Sequence, residues 1–86
     1  MKTFELIPVN GRKSFGNKAT VREDDGVSTL LSYNTEVATY NQATNEVQVL
    51  SYHSATTGNH INAFLSFYGF QTMTKSEMMK KYNLKN

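Results

Sequence analysis

Residues 52–70, YHSATTGNHINAFLSFYGF, carry the apolar pattern that decides the fold. Ile61, Phe64, Leu65 and Tyr68 recur at i, i+3, i+4 and i+7, so at about 3.6 residues per turn their side chains fall on one stripe of a helix. The limits of that helix are written in the chain too. A hydroxyl of Thr56 or Thr57 can accept a bond from an orphaned N–H of the first turn, and Gly69 can take the left-handed conformation that closes a helix. The helix is therefore expected over residues 57–68, with His60 in its first turn, at the surface or bonded back to Ser54 or the preceding strand. Thr56, Thr57, His60, Ile61, Phe64, Leu65, Tyr68 and Gly69 together read as a structural motif of cap, packing stripe and stop.

Such a helix needs a surface to cover, and the upstream chain supplies one. Residues 2–7 alternate, with Phe4 and Leu6 on one side, and Pro8, which cannot donate to a ladder, ends the strand. Residues 10–17, NGRKSFGN, read as a loop. In residues 18–22 Ala19 and Val21 point inward, and the Asp25-Gly26 pair that follows is the dipeptide most suited to a type I′ hairpin turn. Residues 27–33 return, with Val27, Thr29, Leu31 and Tyr33 expected on one face and Leu30 on the other. Turns at Asn34-Thr35 and at residues 43–45 separate two further strands, residues 36–40 and 46–52. The expected fold is α+β: a four- or five-stranded antiparallel meander, one amphipathic helix on one face, and a short C-terminal helix opened by a capping box of Thr74 and Glu77. Residues 70–73 are expected to be extended, and residues 1–86 to form a single domain.

Composition narrows the function classes. There is no Cys among the 86 residues, which excludes disulfides, thiolate metal sites and a Cys nucleophile. No apolar run reaches the roughly 18 residues of a membrane span, and the first nine residues lack the basic and apolar regions of a secretory signal, so a cytoplasmic protein is expected. The net charge of +2 is unevenly spread: residues 1–54 hold five Lys/Arg against six Asp/Glu, and residues 55–86 hold four against one. Five Tyr and five Phe provide much burial area, and equally much material for an interface.

Chemistry-bearing patterns are few. His53 and His60 do not have ligand spacing, and no acid pair, Ser-His-Asp order or phosphate-cradling loop occurs, so no metal, cofactor or catalytic residue is expected. Arg12 and Lys13 stand beside Phe15 in the NGRKSFGN loop, a combination that suits a protein hot spot or a nucleic-acid contact. With Lys18, Arg22, Lys80 and Lys81 they make up the candidate partner-binding residues.

The spacing Ser54-x-Thr56-Thr57-x-x-His60-Ile61-x-x-Phe64-Leu65-x-x-x-Gly69-Phe70 resembles the pattern of a family of small uncharacterised proteins common in phages and prophages of low-GC Gram-positive bacteria. Lys13-Ser14-Phe15 with Lys18-Ala19 resembles that family's K-S-F-Y-G-K-A stretch, departing from it at Gly16 and Asn17. Leu31-Ser32-Tyr33-Asn34-Thr35 followed by Val37-Ala38 is similar to its S-Y-x-T-x-V-A strand pair. The resemblance implies a phage setting and no particular reaction.

Taken together these features suggest a small non-enzymatic binding protein that docks on and inhibits a host or bacterial-defence protein, in the manner of an anti-CRISPR inhibitor, in the cytoplasm of an infected or lysogenic cell. Two alternatives follow from other residues. One is a nucleic-acid-binding accessory protein using the basic loop and the C-terminal lysines. The other is a structural protein that assembles through an exposed sheet edge.

Overall fold

A computed structural model describes residues 2–6, 18–52 and 55–82, and the structural statements below concern those residues. The fold is α+β. Five strands, β1 (Lys2–Glu5), β2 (Ala19–Asp24), β3 (Val27–Ser32), β4 (Thr35–Asn41) and β5 (Glu46–Val49), form one antiparallel meander in sequence order, followed by helices α1 (Ala55–Phe67) and α2 (Lys75–Tyr82).

The register explains the core. Phe4, Val21, Leu30, Ala38 and Val49 stand side by side in one row across all five strands. All but Phe4 are fully buried, and Phe4 packs against them. A second inward row runs through Lys2, Glu23, Ser28, Tyr40 and Val47. Thr3, Arg22, Thr29, Thr39 and Gln48 occupy the other face. The tight turns that set this register have the expected chemistry at Asp25-Gly26, where both residues take positive φ (53° and 80°).

Two expectations about the sheet are corrected. The inward residues of β3 are Ser28, Leu30 and Ser32, whereas Val27 and Tyr33 are exposed and Thr29 and Leu31 only half-buried. Leu30 sits between Val21 and Ala38 in the ladder, and this cross-strand row outweighs the larger apolar count of the alternate face. The β3–β4 turn is centred one residue earlier than expected, on Tyr33 (φ 53°) and Asn34 (φ 70°), because Ser32 pairs with Thr35. The β3–β4 register shifts between Leu30 and Leu31, so that Leu30 faces Ala38 and Leu31 faces Glu36. Val37 is the extra residue of a bulge, which lets the consecutive side chains of Val37 and Ala38 both be buried.

Helix α1 lies over β3 and β4 and buries Ile61, Phe64 and Leu65 of the expected stripe, with Tyr68 half-buried just beyond its end. Full burial of each of these apolar side chains contributes roughly 1.5–3 kcal/mol. The helix begins at Ala55, so Thr56 and Thr57 are not its caps; they lie in its first turn, where Thr57 is buried. Its end is as expected: Gly69 adopts φ 85°, the Phe70 N–H donates to the Leu65 carbonyl at 2.8 Å and the Gly69 N–H to the Ser66 carbonyl at 3.1 Å, the paired bonds of a Schellman cap.

The chain then doubles back along α1. The Asn62 side chain holds it there, donating to the Met73 carbonyl at 3.0 Å and accepting from the Met73 N–H at 2.8 Å, as a neighbouring strand would. Residues 70–73 join neither the sheet nor a helix. The capping box of α2 forms as expected: the Glu77 N–H donates to Thr74 Oγ1 at 3.2 Å and the Thr74 N–H to Glu77 Oε1 at 2.9 Å, which keeps the Glu77 carboxyl below its ordinary pKa. Met78 is the side chain that α2 buries, and the helix packs on β5.

One glycine is fixed by packing. A Cβ built on Gly58 would lie 2.8 Å from the ring carbons of Tyr52, whose other flank faces the Lys75 ammonium 5.7 Å away. Alanine normally stabilises a helix interior by about 1 kcal/mol over glycine. Here Gly58→Ala is expected to destabilise by about 1–3 kcal/mol in urea unfolding, because it overpacks the ring. In a Tyr52→Ala background the same change should turn stabilising. Equal effects in both backgrounds would show that the contact is unimportant.

Candidate functional site

Two polar bonds cross the apolar layer between α1 and β3. In the first, Ser32 Oγ and His60 Nδ1 lie 2.7 Å apart, with Ser32 3% exposed and His60 0%. His60 is thus neither a surface nor a first-turn capping residue. It sits on the second turn and reaches the sheet because the inward position of Ser32 is small. Burial lowers the pKa of the imidazole below 6.5, and the nearby Lys18 charge lowers it further. The exposed Tyr33 ring stands 5.8 Å from the imidazole, and the Lys18 ammonium lies 5.6 Å from the Tyr33 ring. A serine hydroxyl on an imidazole is the first half of a nucleophile–base pair. Both side chains are buried, and the bond between them ties helix to sheet.

In the second bond, the Tyr68 hydroxyl donates to Ser28 Oγ at 2.7 Å. Ser28 Oγ donates in turn to Glu23 Oε2 at 3.5 Å, and the Gln42 side-chain amide donates to the same oxygen at 3.3 Å. Burial raises the pKa of Tyr68, opposed by Ser28 and reinforced by the Glu23 carboxylate. Around it the aromatic rings are continuous. Tyr40 stacks on Tyr68 at 4.3 Å and meets the edge of Phe70 at 5.7 Å. Phe64 and Phe67 stand edge-on to Tyr68 at 5.2 and 4.9 Å. Phe67 leans on Phe4 at 5.1 Å, and Lys2 lies over Phe4 at 5.8 Å. The cluster runs from the core to the surface, where Phe67 is 57% exposed.

The expected cationic site is only partly described. Arg12, Lys13, Phe15 and His53 lie outside the described residues. Arg22 points to the far face of the sheet and is paired with Glu36 at 2.7 Å. Lys80 and Lys81 are exposed on α2, which packs on the inward side. Lys18 stands by Tyr33. The fold therefore does not gather Lys18, Arg22, Lys80 and Lys81 into one stripe.

A further concavity was not legible beforehand. A groove of about 600 Å³ opens between β5, residues 70–73 and α2. Val47, Leu65, Phe70, Met73 and Tyr82 give it apolar walls, and Glu46 and Lys81 stand at its rim. The residues that build these sites and that sequence reading passed over are Ser28, Ser32, Glu23 and Asn62. The small-residue alternation Ser28-x-Leu30-x-Ser32 was the available signal, since small inward side chains leave a helix room to descend.

Among the described residues, no group of three or more His, Cys, Asp or Glu is placed to hold a metal ion, and no helix is long and apolar enough to cross a membrane. In comparisons with known proteins, the model of a family of unknown function (DUF8033) matches residues 4–80. No curated protein and no solved structure matches.

The buried imidazole makes stability depend on pH. Because the His60 pKa is lower in the folded chain than its ordinary 6.5, the unfolded chain takes up the proton first. Stability from the neutral ring is complete above about pH 6.5 and is lost as pH falls below it. Urea midpoints measured between about pH 7.5 and pH 5 should be level at the upper end and decline at the lower. In His60→Gln the decline should be shallower, and the difference isolates this ring from His53. Parallel declines would remove His60 as the cause.

Proposed function

The chain belongs to the DUF8033 family, and from that premise we propose that it is a small non-enzymatic binding protein that docks on another protein through the surface around Phe67. The observation that carries this reading is the way Phe67 is held. A large aromatic side chain, more than half exposed, is braced by Phe4 on one side and Tyr68 on the other. Few rotamers remain to be lost on binding, which is the property of an interface anchor. Lys2 and the partly exposed rims of Phe4 and Tyr68 supply the border of a mixed apolar and polar contact.

In its fuller form the proposal places this protein in a phage or prophage, acting in the cytoplasm of the infected or lysogenic cell, where it binds and inhibits a host or bacterial-defence protein. The sequence resemblance and the small, aromatic-rich body support that setting. A non-enzymatic role is supported by the depth of the Ser32–His60 pair. The nucleic-acid alternative draws less support, because Arg22 is engaged by Glu36 and faces away from the lysines of α2.

The test is capture of a single protein species from lysate of a low-GC Gram-positive bacterium by immobilised wild-type protein, repeated with Phe67→Ala. The exposed alanine should cost the fold less than about 1 kcal/mol. Partner affinity should fall at least about thirtyfold, the loss of a hot-spot side chain. No enriched protein, or undiminished capture by the alanine variant, would count against the proposal.

A further inference from the structure

We propose that α2 is a hinged lid: the chain from Thr74 onward opens as one unit while the sheet, α1 and residues 70–73 stay folded, uncovering the apolar walls on which α2 rests. The proposal concerns a motion of the fold and does not depend on the Phe67 surface.

Little holds α2 down. Of its eight side chains only Met78 is fully buried; Met79 and Tyr82 are half-buried and the other five are exposed. Helix α1, by contrast, buries seven residues and is bonded to β3 through His60 and Ser32. Among the described residues, no hydrogen bond or ion pair ties α2 to the sheet or to α1. The Thr74–Glu77 bonds are internal to the lid, and the Lys75 ammonium meets the body as a 5.7 Å approach to the Tyr52 ring. Part of the boundary with β5 is open groove, about 600 Å³, across which there are no close contacts to lose.

The lid opens as a unit because it is short. An isolated helix needs roughly 12–15 residues to be even marginal in water, so the eight residues of α2 unwind when they leave the body. Undocking and unwinding are therefore one step. The chain freedom regained in that step offsets much of the lost burial of Met78. Openings on the scale of one element lie below global unfolding in free energy.

Asn62 sets where the opening stops. Its side chain grips both the N–H and the carbonyl of Met73, at 2.8 and 3.0 Å. Phe70 is held by its N–H bond to the Leu65 carbonyl and by its edge contact with Tyr40. Residues 70–73 thus move with α1. Thr74, exposed and bonded only to residues of α2, is the first position able to swing. Opening there bares Val47, Leu65, Phe70 and Met73, the walls that the body contributes to the groove, and leaves the rings behind Phe67 in place.

Hydrogen exchange on the unaltered chain at several low urea concentrations tests this. The amides of Met78 to Tyr82 should exchange together, at least about a hundredfold faster than those of Leu30 and Phe64 and with little dependence on urea, while the Met73 amide stays in the slow group. The chain has no Cys, so a single introduced thiol gives a second readout. The thiol of Met78→Cys should react with dithionitrobenzoate at least about a hundredfold faster than that of Ala63→Cys, a buried position on α1, and only the latter rate should climb steeply with urea. Should Met78→Cys fail to fold, exchange on the unaltered chain decides alone. Three results would overturn the proposal: α2 amides that share the rate and urea dependence of the core, α2 amides with no protection at all, or a fast group that extends back through Met73 and Phe70. Equal labelling of the two thiols would do so as well.

Discussion

The helix can settle on the sheet because β3 offers it two serines. Ser28 and Ser32 flank Leu30 on the inward face, small enough to let α1 descend and polar enough to receive what it carries there. Ser32 meets the buried His60 imidazole at Nδ1, and Ser28 meets the half-buried Tyr68 hydroxyl beside Glu23 Oε2, in a layer where a polar group with no partner at all would cost several kcal/mol. Each bond contributes a modest net amount, about 1 kcal/mol. The bonds also fix where along β3 the helix sits, which a smooth apolar surface would leave adjustable.

Much of the rest follows from that placement. Once α1 is registered on the sheet, its Schellman cap and the Asn62 clamp determine the path of residues 70–73. Their path determines where the capping box starts α2, and α2 with β5 defines the groove. Tyr52, wedged against Gly58, closes the same layer from the other direction. The second helix is short and mostly polar, so its position depends on this chain of contacts more than on intrinsic helix propensity.

The surfaces that result differ in kind. Where the aromatic cluster leaves the core, Phe67 is exposed but rigid, because the rings behind it are packed face to edge. Beside β5 an apolar hollow opens, with Glu46, Glu77 and Lys81 around it. On the far side of the sheet a row of threonines surrounds the Arg22–Glu36 pair, and the opposite charges satisfy each other. Cations that look like one group in the sequence are thereby divided between two faces.

Local features were legible in the chain because local chemistry decides them. The helical stripe of Ile61, Phe64 and Leu65, the left-handed stop at Gly69, the Asp25-Gly26 turn and the Thr74–Glu77 box each depend on residues a few positions apart. Tertiary structure decided what depends on partners distant in sequence: the inward face of β3, the bulge at Val37, the burial of His60 and the opening beside β5. On β3, periodicity alone favoured Val27, Leu31 and Tyr33, but a strand has two faces with the same period, and only its neighbours choose between them. Val21 and Ala38 chose Leu30, and Ser28 and Ser32 went inward with it to meet the helix.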